Sequence, residues 1–114
     1  MKAVILFTYL ILSCGVNAQP IEFKTVFQPQ TITYNGSDNR NECWESVDHG
    51  VLINVAGYNR FFLLPARNYE LLKNKLTNQE VFIEVIYFDE PTQDSHASGN
   101  VIKIIFNGEI VFAQ

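Results

Sequence analysis

Asn107-Gly108 sits between two apolar runs, residues 101–106 (VIKIIF) and 109–113 (EIVFA). A two-residue turn between antiparallel strands needs positive φ at both central positions, and Asn-Gly takes it at little cost. The sequence is therefore committed to a hairpin here. An isolated hairpin is marginal in water, so further strands or a helix must cover its apolar face. Paired across the turn, Ile104 is expected opposite Val111 and Ile102 opposite Ala113. Upstream, residues 80–88 (EVFIEVIYF) alternate, with Val81, Ile83, Val85 and Tyr87 on one face and Glu80 and Glu84 on the other. That is the period of a half-buried strand.

Residues 51–65 (VLINVAGYNRFFLLP) read as two strands joined through Gly57-Tyr58-Asn59. Residues 21–34 (IEFKTVFQPQTITY) read as one or two strands. Ile21, Phe23 and Thr25 share a face there, and Pro29 marks a bend or an edge. Residues 35–41 read as a polar loop. Within it, Asn35-Gly36-Ser37 is either an Asn-Gly turn or, in a eukaryotic source, a glycosylation acceptor. One helix is expected within residues 66–79 (ARNYELLKNKLTNQ), with Asn68 as its cap, Glu70 in its first turn and Lys73 and Lys75 near its end. Tyr69, Leu72 and Leu76 fall on one apolar stripe. Residues 89–100 (DEPTQDSHASGN) read as a long polar loop.

The expected fold class is all-β, β-rich with one short helix, in the order β-β-β-α-β-β with the Asn-Gly hairpin at its end. Phe61, Phe62, Phe82, Phe88, Phe106 and Phe112 are the aromatic candidates for its core. The element order resembles that of the oligonucleotide- and oligosaccharide-binding (OB) barrel, in which a helix lies between the third and fourth strands. That resemblance implies a small OB-like barrel. The B subunits of secreted bacterial toxins are similar in element order and bind glycans as rings, but usually carry an internal disulfide.

Residues 1–18 (MKAVILFTYLILSCGVNA) read as a signal peptide. Lys2 precedes an apolar run shorter than the roughly 20 residues that span a bilayer, and Val16 and Ala18 are small enough to precede a cut. Alternatively, Ile11-Leu12-Ser13-Cys14-Gly15 resembles a bacterial lipoprotein box, which implies a lipid anchor on Cys14. The chain is therefore expected to be secreted or periplasmic, or anchored by lipid, with no transmembrane segment. Residues 19–114 are enough for a single small domain. A formal net charge of −4 makes nucleic acid an unfavourable partner. If Cys14 is removed, Cys43 has no intramolecular partner. It is then either buried beside Trp44 or open to an intermolecular disulfide and a homo-oligomer.

His49 and His96 lie in stretches without metal-ligand spacing, and no nucleophile elbow occurs. No catalytic residue, metal or cofactor is expected, and both histidines read as solvated loop residues. Residues 55–61 (VAGYNRF) resemble the first hairpin of cystatins, where a Q-x-V-x-G loop enters the cleft of papain-like proteases. The resemblance implies an inhibitor acting through Gly57. Ile53 stands where that loop has glutamine, and the only tryptophan, Trp44, precedes the hairpin. Binding through loops and sheet faces is the other class. Trp44 and Tyr58 sit in polar surroundings suited to stacking on a protein or a glycan, with Arg60, Asp94 and His96 as polar contacts. The alternative for Trp44 is a plug at one end of a barrel. The sequence thus points to an exported, non-enzymatic binding domain, with a hydrolase inhibitor or a structural, oligomeric subunit as alternatives.

Overall fold

The computed structural model describes residues 19–37, 39–88 and 96–114. Its strands are β1 (Ile21–Val26), β2 (Pro29–Ser37), β3 (Cys43–Val55), β4 (Tyr58–Leu63), β5 (Glu80–Tyr87), β6 (Gly99–Phe106) and β7 (Glu109–Ala113). Helix α1 (Ala66–Leu76) lies between β4 and β5. The fold is mostly β with one short helix, in a single open sheet of order β1-β5-β6-β4-β3-β2, and β7 pairs with β6. Neighbours are antiparallel except β4 and β6, which run parallel through Phe62↔Gly99 and Leu63↔Asn100.

The sheet does not close into a barrel. Its two ends, β1 and β2, are consecutive in the chain and diverge at Phe27-Gln28. Phe27 N–H donates to Gln79 O at 2.8 Å and Phe27 O accepts from Asn78 N–H at 3.0 Å, which ties one side of the junction to β5. Leu52 N–H donates to Gln28 O at 2.9 Å, which ties the other side to β3. Pro29, without an N–H to give, opens β2 as the bend requires.

The core lies where inward residues of β3 (Val51, Ile53), β5 (Val81, Ile83, Val85) and β6 (Val101, Ile104) meet the helical stripe Tyr69, Leu72 and Leu76. Phe61, Phe62 and Phe112 are buried as expected, while Phe88 and Phe106 are half-buried. Phe82 instead points outward, because it lies one residue out of phase with Val81 and Ile83; Lys24 Nζ stands 5.9 Å above its ring. Phe27, at the β1–β2 junction, is fully buried in the core.

Helix α1 begins at Ala66, ahead of Asn68. Pro65 occupies the cap position with φ −60° and ψ 137°, and its carbonyl accepts from Asn68 and Tyr69 N–H at 3.0 and 3.1 Å. A preset proline φ thus starts the helix that Asn68 was expected to cap, and Glu70 falls beyond the first turn.

The two-residue turns of the β3–β4 and β6–β7 hairpins use positive φ. Asn107 and Gly108 have φ 52° and 80°. The β3–β4 turn is Ala56-Gly57, with φ 53° and 93°, so Tyr58 and Asn59 belong to β4. The β6–β7 register begins as expected, with Phe106↔Glu109 and Ile105↔Ile110, and then shifts. Ile104 faces Phe112 and Lys103 faces Ala113, because an irregularity passes over Val111 and brings Ile104 and Phe112 to the core together.

Candidate functional site

β3 outruns β4. The two pair from Gly50↔Leu63 to Val55↔Tyr58. Leu64 N–H then donates to His49 O at 2.8 Å, and Pro65 leads the chain into α1. Among the described residues, β3 is paired over residues 43–48 on its β2 side alone, from Asp48↔Ile32 to Cys43↔Ser37. The polar loop expected at residues 35–41 is shorter than that: residues 35–37 belong to β2, residues 39–41 lie outside the strands, and β3 starts at Cys43. These segments form a two-stranded arm in which no described side chain is fully buried. Such a ribbon has little stability of its own and depends on its cross-strand pairs.

The period of two sorts the arm into two faces. Ile32, Tyr34, Gly36, Trp44, Ser46 and Asp48 share one, while Thr33, Asn35, Cys43, Glu45 and Val47 share the other. On the first face, the indole of Trp44 covers its cross-strand partner Gly36. Three adjacent atoms of the six-membered ring, Cζ2, Cε2 and Cη2, all lie under 3.0 Å from where a Cβ of residue 36 would stand. Three neighbours at similar range mean that the face of the ring meets the glycine, not its edge. The ring is 47% exposed, so Trp44 is not a plug in the core. Gly36 is needed for this contact rather than for a turn: it lies within β2, and its φ is not positive.

Tyr34 is diagonal to Trp44 on the same face. Its ring stacks on His96, with centroids 4.7 Å apart and planes at 20°. His96 is brought there by the segment entering β6, which is held by Ser98 N–H to Phe61 O at 2.7 Å and Phe88 N–H to Ser98 O at 3.0 Å. The Tyr34 hydroxyl is shielded from solvent and has no well-formed hydrogen bond among the described residues. Burial pushes its pKa above the ordinary tyrosine value; the His96 main chain acts against this, and the Asp48 carboxylate adds to it.

His49 lies in β3 rather than in a loop, and it is half-buried on the opposite face from Tyr34. Its Nδ1 is 3.4 Å from Thr31 Oγ1, and its ring packs against Tyr69 at 4.7 Å and 40°. It joins the root of the arm to α1.

Trp44 and His96 are thus brought to one face, with Tyr34 between them. Tyr58 (70% exposed) and Arg60 are not. They flank the Ala56-Gly57 turn at the far end of β3. Tyr58 pairs with Val55, about 36 Å along the strand from Trp44 at roughly 3.3 Å per residue. Cys43 is exposed and free, on the face away from Trp44, so it is not the buried cysteine of the sequence reading. Asp94 and residues 1–18, the stretch read from the sequence as a signal peptide, lie outside the described residues. Sequence reasoning missed Tyr34. The alternation Ile32-x-Tyr34-x-Gly36 opposite Trp44-x-Ser46-x-Asp48 was the available signal.

Away from the arm, a groove of about 460 Å³ opens where β4 leaves β6, with Leu63, Ile86 and Ile102 among its apolar lining and Asn100 and Gln114 as polar groups. Among the described residues, no group of three or more His, Cys, Asp or Glu could hold a metal ion. No described helix is long and apolar enough to cross a membrane. Comparison of the chain with protein-family models, with curated proteins and with solved structures finds no match.

Proposed function

We propose that this chain is an exported, non-enzymatic binding domain whose β2–β3 arm engages a protein or a glycan. The observation that carries the reading is Trp44, with one ring face laid on Gly36 while the residue stays 47% exposed. Leaving a tryptophan half in water forgoes much of the stabilisation its burial would supply, and an exposed aromatic platform suits sugar rings and protein partners alike. Ser46, Asp48 and the stacked Tyr34–His96 pair supply polar groups on the same face. A net charge of −4 disfavours nucleic acid as the ligand.

The body is best read as a partly open barrel of the OB type. Two features support this. β1 and β2 serve as halves of one strand bent at Phe27-Gln28, which puts α1 between the third and fourth of five strands and leaves β7 as an addition. Both ends of the sheet then belong to that one bent strand. OB barrels are themselves only partly closed. Export rests on the leader-like composition of residues 1–18.

The test is a screen of the protein and its Trp44→Ala variant on glycan arrays and against extracellular protein extracts. Ligands held by the parent and lost by a variant of unchanged circular dichroism support the arm as the binding element. Ligands held equally by both would move the site elsewhere.

Inhibition of a secreted hydrolase through the Ala56-Gly57 hairpin is the second reading, favoured by Tyr58 at 70% exposure beside the turn. Against it, α1 follows the hairpin, and Ile53 is sealed in the core at 1% exposure where a cystatin loop offers glutamine. Absence of papain inhibition at micromolar concentration would remove it.

A further inference from the structure

We infer that the β4-side edge of β3, residues 43–48, takes an extended basic segment of a partner protein as an added strand; this rests on the arm being the binding element.

The edge is defined by backbone direction. His49 O accepts from Leu64 N–H on the β4 side, and Leu52 N–H donates to Gln28 O on the β2 side. Odd residues of β3 therefore turn N–H and C=O toward β4, and even residues toward β2. Beyond the end of β4, Cys43, Glu45 and Val47 offer these groups to no described strand. A segment laid there would continue the line of β4 past Leu64, in the manner of strand addition.

The charge of the edge selects its occupant. Among the other free edges of the described strands, β2 (PQTITYNGS) carries no charge, β1 carries both signs in Glu22 and Lys24, and β7 (EIVFA) carries one carboxylate, Glu109, at its first residue beside the Asn107-Gly108 turn. Residues 43–48 hold Glu45 and Asp48 and no lysine or arginine. A second copy pairing symmetrically about Glu45 would set carboxylate against carboxylate, which is repulsive across strands. A lysine or arginine opposite Glu45 turns the same position into an attraction. Val47, two residues along the same face and 42% exposed, gives the neighbouring residue an apolar contact. Trp44 leans over Gly36, toward β2, and so leaves this edge clear.

Trp44 is the single tryptophan of the chain and reports on the site by fluorescence. The probe is an end-blocked octapeptide alternating lysine and threonine, titrated into the purified protein. Saturable binding is expected. With lysine opposite Glu45 in a hydrogen-bonded pair, N-methylation of the lysines weakens it by about tenfold or more, while N-methylation of the threonines, whose N–H groups point away, is tolerated. Glu45→Lys, an exposed change, weakens binding by a similar factor and shifts preference to the glutamate–threonine peptide. No saturable binding at millimolar peptide, equal binding of the two N-methylated analogues, or no effect of Glu45→Lys would each overturn the inference. Binding of chitohexaose or cellohexaose lost in Trp44→Ala, with no peptide response, would overturn strand addition and leave the arm as a glycan-binding element. Silence toward peptides and sugars, with ligands from the wider screen held equally by Trp44→Ala, would remove both readings.

Discussion

Val47 and Val51 lie on the same strand and the same face, four residues apart, yet one is 42% exposed and the other fully buried. The side chains are identical, so the difference lies in what surrounds them. At Val51, β3 has β2 on one side, β4 on the other and the α1 stripe among its core neighbours; at Val47 it pairs, among the described residues, with β2 alone. One strand thus passes from the core to an exposed arm within about 13 Å of its length. Residues of one type should therefore carry unequal weight in the body and in the arm.

The largest expected contrast is between aromatics. Phe62 is fully buried and meets the Tyr87 ring edge-on at 5.3 Å. Phe62→Ala should cost about 3–5 kcal/mol, whereas Trp44→Ala, which loses one cross-strand contact, should cost at most about 1 kcal/mol. Denaturant titration of both variants measures this. Equal losses would mean that the arm is part of the cooperative core.

Glycines give the next contrast. A methyl group at Gly50 would run into the Phe62 carbonyl and the Phe61 ring, neither of which can yield, whereas at Gly36 it meets the far end of the Trp44 ring. Gly50→Ala should destabilise by about 3 kcal/mol and Gly36→Ala by about 1 kcal/mol. The second change should also shift Trp44 emission to the red, as the displaced ring enters water.

Ala56 holds a positive φ of 53° that costs a non-glycine residue roughly 1 kcal/mol, and Asn107 fills the equivalent place in the other hairpin. Ala56→Asn should raise stability by up to about 1 kcal/mol with no change in the arm.

The smallest effect falls on Tyr34. Its shielded hydroxyl makes no well-formed hydrogen bond among the described residues, so Tyr34→Phe should leave stability at neutral pH unchanged or improve it by a few tenths of a kcal/mol. Its folded pKa is raised above that of the unfolded chain, so folding favours the neutral phenol. That contribution is complete below about pH 10 and is lost as pH rises further. Denaturation midpoints on either side of that pH should fall less in the variant than in the parent.

The body was legible because each element there faces a core. Val81, Ile83 and Val85 alternate, Tyr69, Leu72 and Leu76 recur at helical spacing, and Asn107-Gly108 fixes its hairpin. The first half of β3 was not legible. Residues 43–47 (CWESV) are exposed on both faces, so no apolar period marks them as strand. Gly36 carried a turn signal because Asn-Gly turns are common, and only the ring of Trp44 explains it. The irregularities beside Glu84 and Ile104 depend on tertiary packing and leave no local trace. Trp44 and His96 were visible as candidates, but Tyr34, which joins them, reads as an ordinary strand tyrosine.

Native-state hydrogen exchange, resolved by residue, tests the separation of arm from body most directly. Amides of Ile83, Val85 and Ile104 should exchange only through global unfolding. Those of Trp44 and Ser46, bonded to β2, should open several kcal/mol more easily, and those of Glu45 and Val47, on the unpartnered edge, should exchange almost freely. Equal protection of Trp44 and Val85, or strong protection at Glu45, would contradict the account.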